Sequence, residues 1–179
     1  MSIKEAFTDD EWFLLSSTPA MIGAAMSSAA PSGVVGTVKE LTASMRGSVA
    51  GLQDYPDSDL VAQLLQKAEN WDEAKDKMKD YRERIKARLQ NSGVTSREQL
   101  HDNVIADCRA AAGLVDTKCS EEDARIYREW CVKIANLVAE AAKEGGFLGF
   151  GGERISQEER AMLTRIEEAL GVPVGNLMA

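Results

Sequence analysis

Helix starts recur along this chain, each written in the same short grammar. Thr8-Asp9-Asp10-Glu11, Thr37-Val38-Lys39-Glu40 and Ser156-Gln157-Glu158-Glu159 are capping boxes. In each, a hydroxyl can accept the third amide while the Glu reaches back to the capping residue's own N–H. Ser96, with Gln99 three residues on, and Ser120, followed by Glu121, Glu122 and Asp123, mark two further starts. Apolar residues then recur at intervals of three and four, which places them on one helix face. No segment sustains the alternation of a half-buried strand. Composition agrees: only 6% of residues are aromatic and only four are Pro. A sandwich or barrel would need more β-branched and aromatic residues. The expectation is an all-α bundle.

The apolar stripes define the helices. Trp12 and Leu15 open the first, Thr18-Pro19 restarts it, and Ile22, Ala25, Met26 and Ala29 carry it to Pro31-Ser32-Gly33. Val38, Leu41, Met45, Val49 and Leu52 mark a second helix. After the turn and cap at Tyr55-Pro56-Asp57-Ser58, the longest pattern runs from about residue 59 to 89. Its stripe is Leu60, Leu64, Ala68, Trp71, Ala74, Met78, Tyr81, Ile85 and Leu89. Glu73 with Lys77 and Asp80 with Arg84 are expected ion pairs on its other face. The Trp71 to Ile85 spacing also resembles a coiled-coil seam lasting about two heptads, too short to decide for one. Burial within the chain's own bundle is the primary reading and self-association the other. Leu100, Val104, Ile105, Cys108 and Ala112 mark another helix, and Tyr127, Trp130, Cys131, Ile134, Leu137, Val138 and Ala141 the next. Met162, Leu163, Ile166 and Leu170 mark the last. The 179 residues suit a single domain, residues 1–179, of about six or seven helices.

Charge and cysteine use narrow the function. The net charge is −8, and a chain of that sign is poorly suited to displacing counterions from a nucleic-acid backbone. No apolar run approaches the roughly 20 residues that would cross a bilayer, and Met1 to Asp10 lacks the form of a secretory leader. Cys108, Cys119 and Cys131 are an odd, widely spaced set that reads as reduced thiols. A cytoplasmic protein is expected.

Few residues invite chemistry. His101 is the one histidine, and it lies seven residues from Cys108 on one expected helix. That separates them by about 10 Å along the axis, too far for direct proton transfer. Glu98-Gln99-Leu100-His101 has the Glu-x-x-His form of di-iron bundles, but one histidine cannot build that site within one chain. The cysteines lack the close pairs of a zinc site. No catalytic residue is assigned, and neither a metal nor a cofactor can be named from these residues.

The glycine-rich stretch from residue 145 to 155 is the most unusual segment. Its candidate binding residues are Phe147, Leu148, Phe150, Gly151, Gly152 and Arg154, with Ser156 at the helix start that follows. Backbone amides there could hold an anion, with Arg154 assisting, although Glu153, Glu158 and Glu159 crowd the same end. Phe147, Leu148 and Phe150 could instead fold back as a hydrophobic plug, or present themselves to a partner.

Two places share a pattern. An Ala-rich segment, Ala24 to Ala30, leads to Gly33, Thr37 and Glu40. Another, Ala135 to Ala142, leads to Gly152, Ser156 and Glu159, with the same spacing from Gly to cap to Glu. The stretch Glu144-Gly145-Gly146 through Gly151-Gly152-Glu153-Arg154-Ile155-Ser156-Gln157-Glu158-Glu159-Arg160 to Leu170-Gly171 resembles the tellurite-resistance TerB-like helical domains. Ala24 to Leu41 resembles the first copy of their repeat. Together they cover about a third of the chain. The resemblance implies two helix–glycine turn–helix units around a helical core, in a cytosolic stress-associated module. It also implies an acidic metal site, but Ser32 and Gly151 stand where the family has its turn aspartates.

The expected function is a non-enzymatic interaction or stress-associated module whose partner is a protein or a second copy. A small-molecule- or metal-binding enzyme using the loop after Glu144, or a structural homo-oligomer, are the alternatives. A deep acidic pocket beneath Phe147 and Phe150 would favour the enzyme; an exposed apolar patch would favour the interaction module.

Overall fold

The computed structural model describes residues 2–29, 51, 53–65, 69–143 and 155–174. Among them, a 3₁₀ turn at Ile3–Ala6 is followed by six α-helices and no strand. These are α1 (Asp9–Ala29), α2 (Asp59–Leu64), α3 (Trp71–Asn91), α4 (Arg97–Lys118), α5 (Glu121–Lys143) and α6 (Gln157–Leu170). Of the helix expected from Thr37 to Leu52 only Gly51 falls within the described residues, where it is helical and buried, and the first copy of the repeat from residue 30 onward lies outside them.

The caps form as their spacing requires. At Thr8 the hydroxyl accepts the Glu11 amide at 3.3 Å, and the Glu11 carboxylate accepts the Thr8 amide at 2.8 Å. Ser96 with Gln99 and Ser156 with Glu159 close reciprocal boxes. At the other ends, Gly93 and Gly171 adopt φ of +66° and +69°, which a side chain would resist. There Val172 donates to the Glu167 carbonyl at 2.9 Å and Val94 to that of Leu89 at 3.1 Å.

Four helices, α1, α4, α5 and α6, pack against one another around a shared core, with α2 lying on α5 and the N-terminal turn. Leu15, Ile22 and Met26 meet Val104, Cys108 and Val115, Tyr127, Trp130 and Ile134, and Leu163, Ile166 and Leu170. Each full burial of a large aliphatic or aromatic side chain contributes about 1.5–3 kcal/mol. Cys108 and Cys131 sit in this core as small hydrophobes, and all three cysteines are free thiols.

Two boundaries differ from expectation. Pro19 does not restart α1, because the helix runs unbroken through it. The Leu15 carbonyl, which a residue-19 amide would otherwise occupy, accepts the buried Tyr127 hydroxyl at 2.9 Å instead. The single helix expected over residues 59–89 is two helices. Asn70 interrupts it by accepting the Glu73 amide at 3.0 Å, which starts α3 afresh. Sequence periodicity passes through such a cap without registering it.

The stripe of α3 also lands differently. None of its residues is buried. Tyr81, Ile85 and Leu89 are half-buried, but Trp71 is 83% and Met78 50% exposed. Glu73 and Lys77 pair at 2.6 Å as expected. Arg84 turns instead to Asp10 at 3.3 Å, with its guanidinium 4.0 Å above the Phe13 ring.

Candidate functional site

The C-terminal half of α3 is the fastened half. Tyr81 meets Phe13 edge-on at 5.7 Å, Arg84 stacks on Phe13, and Arg88 pairs with the buried Asp107 of α4. Ile85 and Leu89 lean on the core. Among the described residues, nothing from Trp71 to Asp80 makes a hydrogen bond, ion pair or ring contact to another helix. Among the described residues this half forms an arm, roughly 15 Å long, whose fastening contacts lie at its C-terminal end.

That arm borders a half-open depression of about 700 Å³, whose lining among the described residues is Trp71, Ala74, Lys75, Asp76, Met78, Lys79, Arg82 and Glu83. On a helix, Trp71, Lys75, Met78 and Arg82 fall on one strip, spaced four, three and four. The strip combines a wide aromatic, a thioether and long cations, which suits contact rather than catalysis. The whole of α3 carries seven basic and five acidic side chains. It is a cationic helix on a chain of net charge −8.

His101 has a neighbour that its own helix could not reveal. Its Nε2 lies 2.9 Å from the Ser28 hydroxyl of α1. The imidazole is half-buried rather than an ordinary surface histidine. Burial, then the charges of Arg97 and Arg165, push it below its ordinary pKa, opposed by Glu98 and a bond with Ala25's backbone. The Ser28 hydroxyl has one proton and two acceptors in reach, the Ala25 carbonyl at 3.0 Å and the imidazole. No described carboxylate bonds to His101 to orient it, so the pair lacks the third member of an acyl-transfer triad. It ties α1 to α4.

The cysteines are poor nucleophiles for a related reason. Burial pushes the Cys108 thiol up to about 12 and that of Cys119 to about 11, and raises Cys131 as well. No group of three or more His, Cys, Asp or Glu among the described residues could hold a metal ion. Among the described residues, no helix is long and apolar enough to cross a membrane.

Of the candidate binding residues, Ser156 is the N-cap of α6, its hydroxyl 3.1 Å from the Glu159 amide. Phe147, Leu148, Phe150, Gly151, Gly152 and Arg154 lie outside the described residues, and so does the choice between plug, anion site and partner loop. Ser32 and the rest of the resemblance's first turn lie outside them too. Sequence reasoning missed the Ser28–His101 pair and the Arg88–Asp107 pair. Both join residues on different helices, which periodicity along one helix does not report. Asp107, an acid beside Val104, Ile105 and Cys108 on an apolar stripe, was the available signal for the second.

No family model, curated protein or solved structure significantly matches the chain.

Proposed function

We propose that this protein is a non-enzymatic interaction module that docks a protein partner on the exposed arm of α3. The supporting observation is that Trp71 is 83% exposed on a half-helix that, among the described residues, makes no hydrogen bond, ion pair or ring contact to another helix. Leaving Trp71 and Met78 in water forgoes about 1.5–3 kcal/mol for each side chain that could be fully buried. A partner would recover part of that. Lys75, Lys79 and Arg82 beside them would attract carboxylates on the facing surface. The TerB-like resemblance supports a stress-associated, cytoplasmic setting for the module.

A photo-reactive amino acid placed at Lys75 in producing cells tests this reading. A discrete cross-linked protein adduct is expected, and Trp71→Ser with Met78→Ser should remove it. Their exposure should leave the helical content of the chain intact. A folded chain that forms no adduct through Lys75 would refute the reading.

A further inference from the structure

The strip on α3 is complementary to itself in only one orientation. Trp71 and Arg82 stand at its two ends, eleven residues and about 16 Å apart, with Lys75 and Met78 between them. A parallel copy would set Lys75 on Lys75 and Arg82 on Arg82. An antiparallel copy, with its two-fold axis between Asp76 and Lys77, separates both identical pairs. It brings Lys75 within about one residue's rise of Lys79 of the partner subunit, where Asp72 and Asp76 offset the charge. Each Trp71 ring then faces Arg82 of the partner subunit, a cation–π arrangement. Each Lys75 stem lies along Met78 of the partner subunit, its ammonium free to reach water. Asp72 and Asp76 come alongside the cations Lys79 and Arg82 of the partner subunit. The small side chain of Ala74 permits close approach of the two helices.

From this geometry we infer that the occupant of the α3 strip is a second copy of this chain, paired antiparallel. The inference rests on the exposed arm being the docking surface, and it adds the identity of the partner. Two short helical arms bury less than the standard interface of about 1,600 Å². The dimer is therefore reversible and concentration-dependent rather than obligate. Isologous pairing closes on itself and stops at two.

Sedimentation velocity of the full chain, from low micromolar to near-millimolar protein, tests it. Wild type is expected to pass from monomer to dimer and no further. Trp71→Ala and Arg82→Glu should each weaken the dimer about tenfold or more, and Met78→Glu should abolish it. Far-ultraviolet circular dichroism of each variant should match wild type, since all three residues are exposed. A monomer at every concentration would overturn the self-pairing, as would a dimer that these variants leave unchanged. If the chain is monomeric but Lys75 still cross-links a different protein in cells, self-pairing fails and the interaction reading stands. If it is monomeric and Lys75 forms no adduct, both fail.

Discussion

The Tyr127 hydroxyl donates to the Leu15 carbonyl at 2.9 Å, four residues before Pro19. Pro19 has no amide to give that carbonyl, and its ring normally bends or breaks the helix around it. Here α5 supplies the missing donor from across the core, and α1 continues for ten more residues to Ala29. Thr18 adds a second adjustment, its hydroxyl donating to the Leu14 carbonyl at 2.8 Å. A local defect in one helix has become a tertiary bond to another.

Tyr127→Phe should therefore cost about 1–3 kcal/mol in chemical denaturation, because it strands a buried acceptor. In a Pro19→Ala background the residue-19 amide can serve Leu15 itself, so the same change should cost less. A double-mutant cycle is expected to show coupling of about 1 kcal/mol. Additive effects would mean the two residues do not share this carbonyl.

The pattern of what was legible follows from this. Caps at Thr8, Ser96 and Ser156 and the core stripes of α4, α5 and α6 are local, and spacing alone reveals them. Pro19 misleads because its remedy comes from Tyr127, more than a hundred residues away. Asn70 misleads in the opposite sense, since the apolar period continues across the break it caps. Trp71 and Met78 sit on a sound amphipathic stripe, yet period says which residues share a face and not whether anything covers it. Ser28 was invisible as His101's neighbour for the same reason. As for the glycine-rich stretch, only Ile155 and the cap at Ser156 fall within the described residues.

His101 gives a pH dependence whose sign can be worked out. Burial, Arg97 and Arg165 hold its folded pKa below the ordinary value of 6.5. Above that value both folded and unfolded chains carry a neutral imidazole, and stability is undiminished. As pH falls from there through the folded pKa, the unfolded chain binds the proton more readily, so stability is lost. Denaturation midpoints compared between about pH 7.5 and about pH 5 should fall more steeply for wild type than for His101→Gln. Equal slopes would show that the Ser28 contact does not depend on a neutral ring.

Asp107 presents the reverse case. Its pKa is raised because burial outweighs the opposing charge and hydrogen bond of Arg88. Removing the cation by Arg88→Ala leaves a buried carboxylate unpaired and should cost about 2–3 kcal/mol near neutral pH, less than a fully buried pair because Arg88 is partly exposed. A raised folded pKa means that stability is lost as pH rises through it, so mild acid should recover part of the deficit. Arg88→Ala combined with Asp107→Asn should likewise cost less than Arg88→Ala alone. A deficit that does not change with pH would point to lost packing of the Arg88 stem.

Two glycines should respond in opposite directions to the same substitution. A Cβ on Gly51 would lie 2.6 Å from Nε1 of Trp130 and 3.0 Å from two of its ring carbons. Trp130 is only 1% exposed and sits edge-on to Tyr127 at 6.1 Å, so its ring has little room to withdraw. Gly51→Ala should cost about 1–3 kcal/mol as overpacking. Gly113 lies inside α4, exposed, with nothing within 4 Å of where its Cβ would stand. There the added methyl meets no obstacle and restricts the unfolded chain, so Gly113→Ala should stabilise by about 0.5–1 kcal/mol. Chemical denaturation of the two variants beside wild type reads both signs at once. Trp130 fluorescence offers a second check, because only Gly51→Ala should perturb the indole. If Gly51→Ala were neutral, residue 51 would not approach Trp130 closely, and the seat of that indole in the core would need redrawing.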